Sequence, residues 1–431
     1  MADGGGSARP RRASLARPVA RLDAAAQAKA ECPLPMWIRP ESEEVLLQVK
    51  IRPFLSHKRE NARTVAQLKG DLKLYGAGGW KDTDDLRLGT PAAEEIRRAI
   101  FEETGGFLWW GTGKALGSKI INGLEIPTAL ERAQREPGYP LVPVFVDVAP
   151  AEAGKKLAHR IGKENAQKFV DRNGLTRGSR ERLDDLRVRA TRRYVRDAVA
   201  SLPMGDITVA FRALSEPNGE HDLTFDWRAV IDPRARLLED EILPVLLDAL
   251  ANTREAFQAR VHTPQLLLDT DLPLPLAFLL GYEWRATTRI RLRIGQRTGA
   301  SFSWIGHEGT LSEEPRPVRR RLGGDGPAVV AVSCKDPLEK VALRYAEKVN
   351  ASELVLLHVP GLLDAAGLRA LTRAGAGQLR ELNNRALAKH LLIRGPGALA
   401  VMCGAESNAA GPVVLPFWDG AKYVSPLVTT G

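Results

Sequence analysis

Cysteine is scarce: Cys32, Cys334 and Cys403 are the only three in 431 residues, and they lie far apart. That spread excludes a disulfide framework. No Cys/His cluster has zinc-ligand spacing, so no metal site is assigned and a reducing compartment is expected. Long apolar runs are also missing. The most apolar region, Leu266 to Leu280, is broken by Asp269, Asp271 and prolines, so nothing reaches the roughly 18 apolar residues of a membrane span. Gly111-Thr112-Gly113-Lys114 looks like a phosphate loop but lacks its two defining positions. Leu108 stands where the first glycine belongs and Ala115 where a Ser or Thr belongs, which disfavours nucleoside-triphosphate hydrolysis. The acidic pairs Asp84-Asp85 and Glu102-Glu103 read as solvated carboxylates. Residues 1–43, with Gly4-Gly5-Gly6 and Pro10-Arg11-Arg12, have no signal-type apolar core and read as a flexible leader. Asp3, Asp23 and Glu31 argue against a transit peptide. The expected location is the cytoplasm, with no membrane partner.

What is present is an ordinary globular balance, 44% hydrophobic and 26% charged, in a chain long enough for two domains. The formal net charge of +10 suits a polyanionic partner, though a solvated basic surface accounts for it equally well. From Val45 a β-rich run ends in the polar residues Ser56-His57-Lys58. Asn61 to Leu74 follows with Val65, Leu68 and Leu72 at helical spacing, and glycines stop it. A short strand and an acidic loop occupy Gly79 to Gly89, and Thr90-Pro91 opens a helix whose Glu94 and Glu95 complement its dipole. Phe107 to Trp110 and Tyr139 to Val148 read as strands, and the charged stretch Ala149 to Leu202 as closing helices. Alternating strands and helices predict a doubly wound parallel sheet with its ligands at the carboxyl ends of the strands.

Pro203-Met204-Gly205 marks a boundary. Beyond it, Ile207 to Leu214 starts a new strand. Thr288 to Ile294 alternates arginine with apolar residues, so one face of that strand is buried and the other is cationic. A second α/β unit opens at Val329 to Ser333, continues through Cys334-Lys335-Asp336-Pro337, a helix to Val349 and a strand Leu354 to Val359, and expects helices from Gln378 to Leu391. The chain closes with Gly395-Pro396-Gly397 to Gly404, Gly411-Pro412-Val413 to Trp418, and Tyr423-Val424-Ser425-Pro426.

Two resemblances attach to these motifs. Phe54-Leu55-Ser56-His57, then Trp80 with Asp82 in a loop ending Asp85-Leu86-Arg87-Leu88-Gly89, then Ser118 with Glu125 seven residues on, resemble a bacterial TIR domain over residues 44–202. The tryptophan-cysteine pair usual in the last segment is replaced by Ile121-Asn122. The resemblance implies a flavodoxin-like fold and cleavage of NAD+ at the nicotinamide glycosidic bond, with Glu125 catalytic and no permanently bound cofactor. It implies that Phe54, Trp80 and Trp109 or Trp110 enclose the base; we favour Trp110. Ser56, His57, Lys58, Asp82 and Ser118 complete the NAD+ set. A carboxylate there fits the chemistry, because loss of neutral nicotinamide leaves positive charge on the ribose.

The segment Leu276 to Gly281, together with the closing series, resembles the SAVED domain of bacterial antiphage (CBASS) effectors over residues 203–431. That implies two fused CARF-like, Rossmann-like halves binding a cyclic oligoadenylate, cyclic tri-adenylate in the first instance. The residues placed near it are Tyr282, Arg285, Ser333, Lys335, Asp336, Phe417, Trp418 and Tyr423. The resemblance also implies self-association into an open helical array when liganded. A non-enzymatic TIR scaffold is the alternative; a nucleic-acid binder using the arginine-rich strand is disfavoured.

Overall fold

The computed structural model describes residues 51–429 apart from 79–90, 173, 216–220, 233–236, 239–240, 263, 299–300, 307–311 and 362. Trp80, Asp82 and the strand and acidic loop expected around them lie outside the described residues. In β1 (Pro53–His57), period-two alternation sends Phe54 and Leu55 into different cores. α1 (Ala62–Leu74) buries Val65, Leu68 and Leu72. α2 (Ala92–Arg98) carries Glu94 and Glu95 in its first turn and runs into a π turn, Ala99–Glu103. The fully buried β2 (Gly106–Gly111) leads to a second π turn, Ile121–Glu125, which continues as α3 (Ile126–Arg135). β3 (Leu141–Phe145), α4 (Pro150–Ile161), α5 (Lys163–Val170), β4 (Leu175–Thr176) and α6 (Leu183–Ser201) complete this part. Strands β1 to β4 pair in chain order, all parallel.

Past Pro203, β5 (Asp206–Arg212), β6 (Leu223–Asp226), α7 (Leu243–Gln258), β7 (Gln265–Thr270), α8 (Leu274–Glu283), β8 (Arg291–Thr298) and β9 (Ser301–Gly306) form a sheet of order β6-β5-β7-β8-β9. Its pairs are parallel except β8 with β9. The second half comprises β10 (Val318–Arg321), β11 (Gly326–Cys334), α9 (Glu339–Lys348), β12 (Ala351–Val359), α10 (Ala365–Asn384), β13 (Lys389–Arg394), α11 (Gly397–Glu406), β14 (Val414–Trp418) and β15 (Tyr423–Val428). Its sheet has the order β10-β12-β11-β13-β14-β15, parallel at the centre and antiparallel at both ends. The chain is therefore mixed α/β with Rossmann-like parallel sheets.

Two sequence expectations are corrected here. The arginine-rich strand starts at Arg291 rather than Thr288, because Ala286–Thr288 is a 3₁₀ turn and Arg289 has φ 64°. Within it Leu292 and Ile294 are buried while Arg291 and Arg293 are exposed, so the alternation itself holds. The helix expected to reach Leu391 stops at Asn384. Ala386 at φ 56° cannot continue it, and Lys389 to Arg394 is the strand β13.

The two C-terminal halves meet through α8 and α11, ten residues each, both entered through a proline and both apolar throughout the contact. A Cβ on Gly281 would lie 1.8 Å from the Val401 carbonyl oxygen, and one on Gly404 would lie 2.0 Å from that of Phe278. The helices touch backbone to backbone, which only glycine permits. All described residues belong to one compact unit. Among them no helix is long and apolar enough to cross a membrane, and no group of three or more His, Cys, Asp or Glu could hold a metal ion.

Gly404→Ala should destabilise the fold by about 3 kcal/mol or more, because neither backbone can yield without separating the halves. Gly377→Ala, in α10 with nothing within 4 Å of the added methyl, should stay within about 1 kcal/mol of the parent. Urea unfolding of the two variants checks the contrast; equal midpoints would refute it.

Candidate functional site

Two groups of residues stand at the carboxyl ends of parallel strands. In the first, Ser56 lies near the end of β1 on the same face as Phe54, and its Oγ donates a 2.6 Å hydrogen bond to Glu125 Oε2. Ser56 is 1% exposed and Glu125 5%, so a carboxylate is held just beneath the surface at a strand end. The π turn is what presents it. Ser118 Oγ accepts from the Ile121 backbone N–H at 3.4 Å, and the Asn122 side-chain amide donates to the Leu116 carbonyl, which ties the turn to the loop after β2. That loop is fixed in turn: Thr112 Oγ1 accepts from Ala115 N–H and from Asn61 Nδ2, and the Gly113 N–H donates to Asp147 at 2.7 Å. The loops after β1, β2 and β3 thus share one hydrogen-bonded rim around Glu125.

Of the residues assigned to NAD+, Ser56, Glu125 and Ser118 come together in this rim. His57 and Lys58 are half-buried beside it, with His57 Nδ1 3.0 Å from the Leu55 carbonyl oxygen. Phe54 is 1% exposed and stacked on Phe107 at 5.7 Å, a packing position. Trp110 lies on the other face of β2 from Ser56. It points into the core under α1 and α6, whereas Trp109, paired in register with Ser56, packs on the face that carries Phe54 and meets Phe145 and Phe169 edge to face. Strand alternation forces that choice. Asn61, Thr112, Asn122 and Asp147 were not foreseen, since nothing in their local sequence marks them.

The second group surrounds a cavity of ≈ 240 Å³ between the two C-terminal halves. Pro273 and Leu274, at the start of α8, form one wall; Arg394, Gly395, Phe417, Trp418 and Tyr423 form the other. Gly397, at the start of α11, lies beside Thr270, so the N-terminal ends of both central helices converge there. Helix N-termini present unpaired N–H groups and positive potential to an anion. Trp418 is 38% exposed with its ring 5.1 Å from that of Tyr423, its cross-strand partner, which in turn meets Tyr345 at 5.6 Å. Arg394 pairs with Asp336 at 3.4 Å. Ser333 is in register with Arg394 on one side and His358 on the other, and its hydroxyl is 3.0 Å from His358 Nδ1. Lys335 is exposed with φ 67°.

The cavity gathers Phe417, Trp418 and Tyr423, with Asp336 and Ser333 adjoining through Arg394. It does not include Tyr282 or Arg285. Tyr282 is buried at the far end of α8, stacked on Phe278, and Arg285 covers its ring at 4.7 Å. Seven residues of helix separate Leu274 from Gly281, about 10 Å. Arg394 and His358 were missed, because a lone cation or imidazole at a strand end carries no local pattern and only register brings the row together.

Residues 249–424 match the family model described as the SMODS-associated and fused to various effectors sensor domain, SAVED. This stretch is a SAVED domain. No curated protein matches the chain. Among solved structures it is similar to the Acinetobacter baumannii Cap4 SAVED/CARF-domain containing receptor with the cyclic trinucleotide 3'3'3'-cAAA, at 14% identity and TM-score 0.44 over 78% of this chain and 84% of that one. The same receptor with 2'3'3'-cAAA matches at 15% identity and TM-score 0.44 over the same shares. The Moraxella osloensis Cap4 SAVED/CARF-domain containing receptor matches at 14% and 0.42, over 78% of this chain and 83% of that one.

His390, on the SAVED sheet below the cavity, accepts or donates at Nδ1 to the Tyr345 hydroxyl at 2.8 Å, and burial lowers its pKa from the usual 6.5. The unfolded chain therefore binds this proton more readily than the folded one. Stability is complete above pH 6.5 and declines as pH falls below it. His390→Gln should flatten that decline in urea unfolding between pH 5 and 8, roughly the window in which histidine titrates. An identical slope in parent and variant would contradict this.

Proposed function

We propose that this chain is a sensor-effector of bacterial cyclic-oligonucleotide antiphage defence: its SAVED domain binds a cyclic oligoadenylate, and its N-terminal TIR-like domain then cleaves NAD+ to nicotinamide and ADP-ribose. The observation that carries the enzymatic half is the Ser56–Glu125 pair, a buried carboxylate bonded by a hydroxyl at a strand end. Negative charge fixed in a water-poor site stabilises the positive charge that develops on the ribose as nicotinamide leaves, and no strong acid is needed for a neutral leaving group. Ser56 occupies Oε2 and restricts the carboxylate's rotation, so the group is oriented before the substrate arrives.

The sensor half is supported by the convergence of two helix N-termini, Arg394 and the Trp418–Tyr423 aromatic pair on one cavity. Phosphates suit the first two and adenine rings the third. Liganded chains then assemble end to end in an open array. Assembly of this kind shifts a pre-existing equilibrium toward the active arrangement in the bacterial cytoplasm.

Incubating the protein with NAD+ and each of a panel of cyclic di-, tri- and tetranucleotides tests the reading. Nicotinamide release should need one of them, and Glu125→Gln should lower it at least about a thousandfold while leaving nucleotide binding intact. Trp418→Ala should weaken nucleotide affinity by about 1–3 kcal/mol, roughly five- to 150-fold. No release with any ring, or full activity in Glu125→Gln, would end the enzymatic reading.

A further inference from the structure

The last turn of α1 is capped by another domain. A helix leaves its final carbonyls unpaired, and here the Leu74 carbonyl accepts the Trp227 indole N–H at 3.0 Å, while the Gly76 carbonyl accepts the Thr224 backbone N–H at 2.9 Å. Both donors belong to β6 or the residue after it. Beside them the Tyr75 hydroxyl and the Arg192 guanidinium both donate to Asp248 of α7. Trp227 is fully buried, edge to face with Phe211 and Phe225, so its indole has a single position.

From Trp227 a line of hydrogen bonds reaches the end of β7, a few residues before the cavity wall. Its backbone N–H donates to the Arg212 carbonyl at 2.8 Å, and Arg212, at the end of β5, donates to Asp269 Oδ2 at 2.5 Å. Asp269 and Thr270 end β7; Thr270 lies beside Gly397, and Pro273 and Leu274 are the cavity wall. At its other end α1 begins beside Asn61, whose amide bonds Thr112 in the rim around Glu125. One helix of thirteen residues thus spans from the sensor's cap to the candidate catalytic rim.

We propose that Trp227 is a positioning residue which, by gripping the end of α1, transmits occupancy of the SAVED cavity to the Ser56–Glu125 pair. The inference rests on the reading that the cavity takes a cyclic oligonucleotide and that Glu125 acts on NAD+. Because the cap is an indole N–H, the ring without the donor is the discriminating change. Trp227→Phe tests it directly, and Tyr75→Phe, which removes one hydroxyl from the adjoining Asp248 contact, is a second variant with less disturbance of the core.

The full chain is used throughout, with the most potent ring from the panel as probe, starting from cyclic tri-adenylate. Calorimetry reads nucleotide affinity, nicotinamide release reads kcat and KM, and hydrogen exchange reads the Tyr75 and Ala77 amides. Both variants should bind the nucleotide within twofold of the parent yet lose at least tenfold in stimulated kcat with KM unchanged. In the parent, nucleotide should slow exchange at Tyr75 and Ala77; in Trp227→Phe it should not. Stimulated turnover and exchange protection equal to the parent's in Tyr75→Phe and Trp227→Phe would overturn the coupling. Protection in the parent without any NAD+ cleavage would leave the coupling standing and remove the enzymatic reading. If no ring binds, the sensor reading and this inference fall together.

Discussion

The crossing of α8 and α11 is the constraint from which the C-terminal architecture follows. Each helix comes from a different parallel sheet, and each reaches the other at a glycine seven residues after its first residue, Gly281 from Leu274 and Gly404 from Gly397. Because the backbones touch, the two sheets are fixed at one separation, and their carboxyl ends open onto a common cavity. A side chain larger than hydrogen at either position would wedge the halves apart and separate the two helix N-termini. The tight crossing also brings the first half's Pro273 and Leu274 against the wall that carries Arg394 and the Trp418–Tyr423 pair, with Ser333 and His358 in register beside Arg394.

The N-terminal part meets a different constraint, that of orienting a carboxyl group that is mostly out of water. An isolated buried carboxylate is costly. Here the Ser56 hydroxyl bonds the carboxyl group, and the π turn supplies the extra residue that brings Glu125 over β1 without breaking the helix that follows. Ser118 and Asn122 stabilise the turn. Ile121 fills the core and Asn122 ties the turn to Leu116.

How far the sequence disclosed this depended on the range of each signal. Period-two and helical patterns located β2, β3, β11, β12, α1 and α9 to within a few residues, because burial of one face is a local property. The limit of α10 falls short of the expectation, since the short apolar stretch Leu391–Ile393 suits the end of a buried helix and a buried strand alike, and Ala386 at positive φ stops the helix before it. The choice between Trp109 and Trp110 needed the face that Ser56 occupies, which register supplies and composition does not. Tyr282 and Arg285 stand at the C-terminal end of α8, while its N-terminal end lines the cavity.

Net charge misleads in the same way when it is summed rather than placed. The excess of arginine invites a polyanionic partner across the whole surface, yet much of it is engaged within the chain. Arg187 meets Asp71, Arg192 meets Asp248, Arg254 meets Glu283 at 2.7 Å, and Arg385 meets Glu353 at 2.9 Å. Arg260 is turned inward onto the carbonyls of Leu202 and Pro203, at the junction between α6 and β5. Guanidinium suits such sites because it forks to two acceptors and stays charged when partly buried. Of these, Arg192 and Arg260 bridge the parts on either side of Pro203 while the others pair within one part, and Arg394 lines the cavity through its place at the end of β13 rather than through its charge alone.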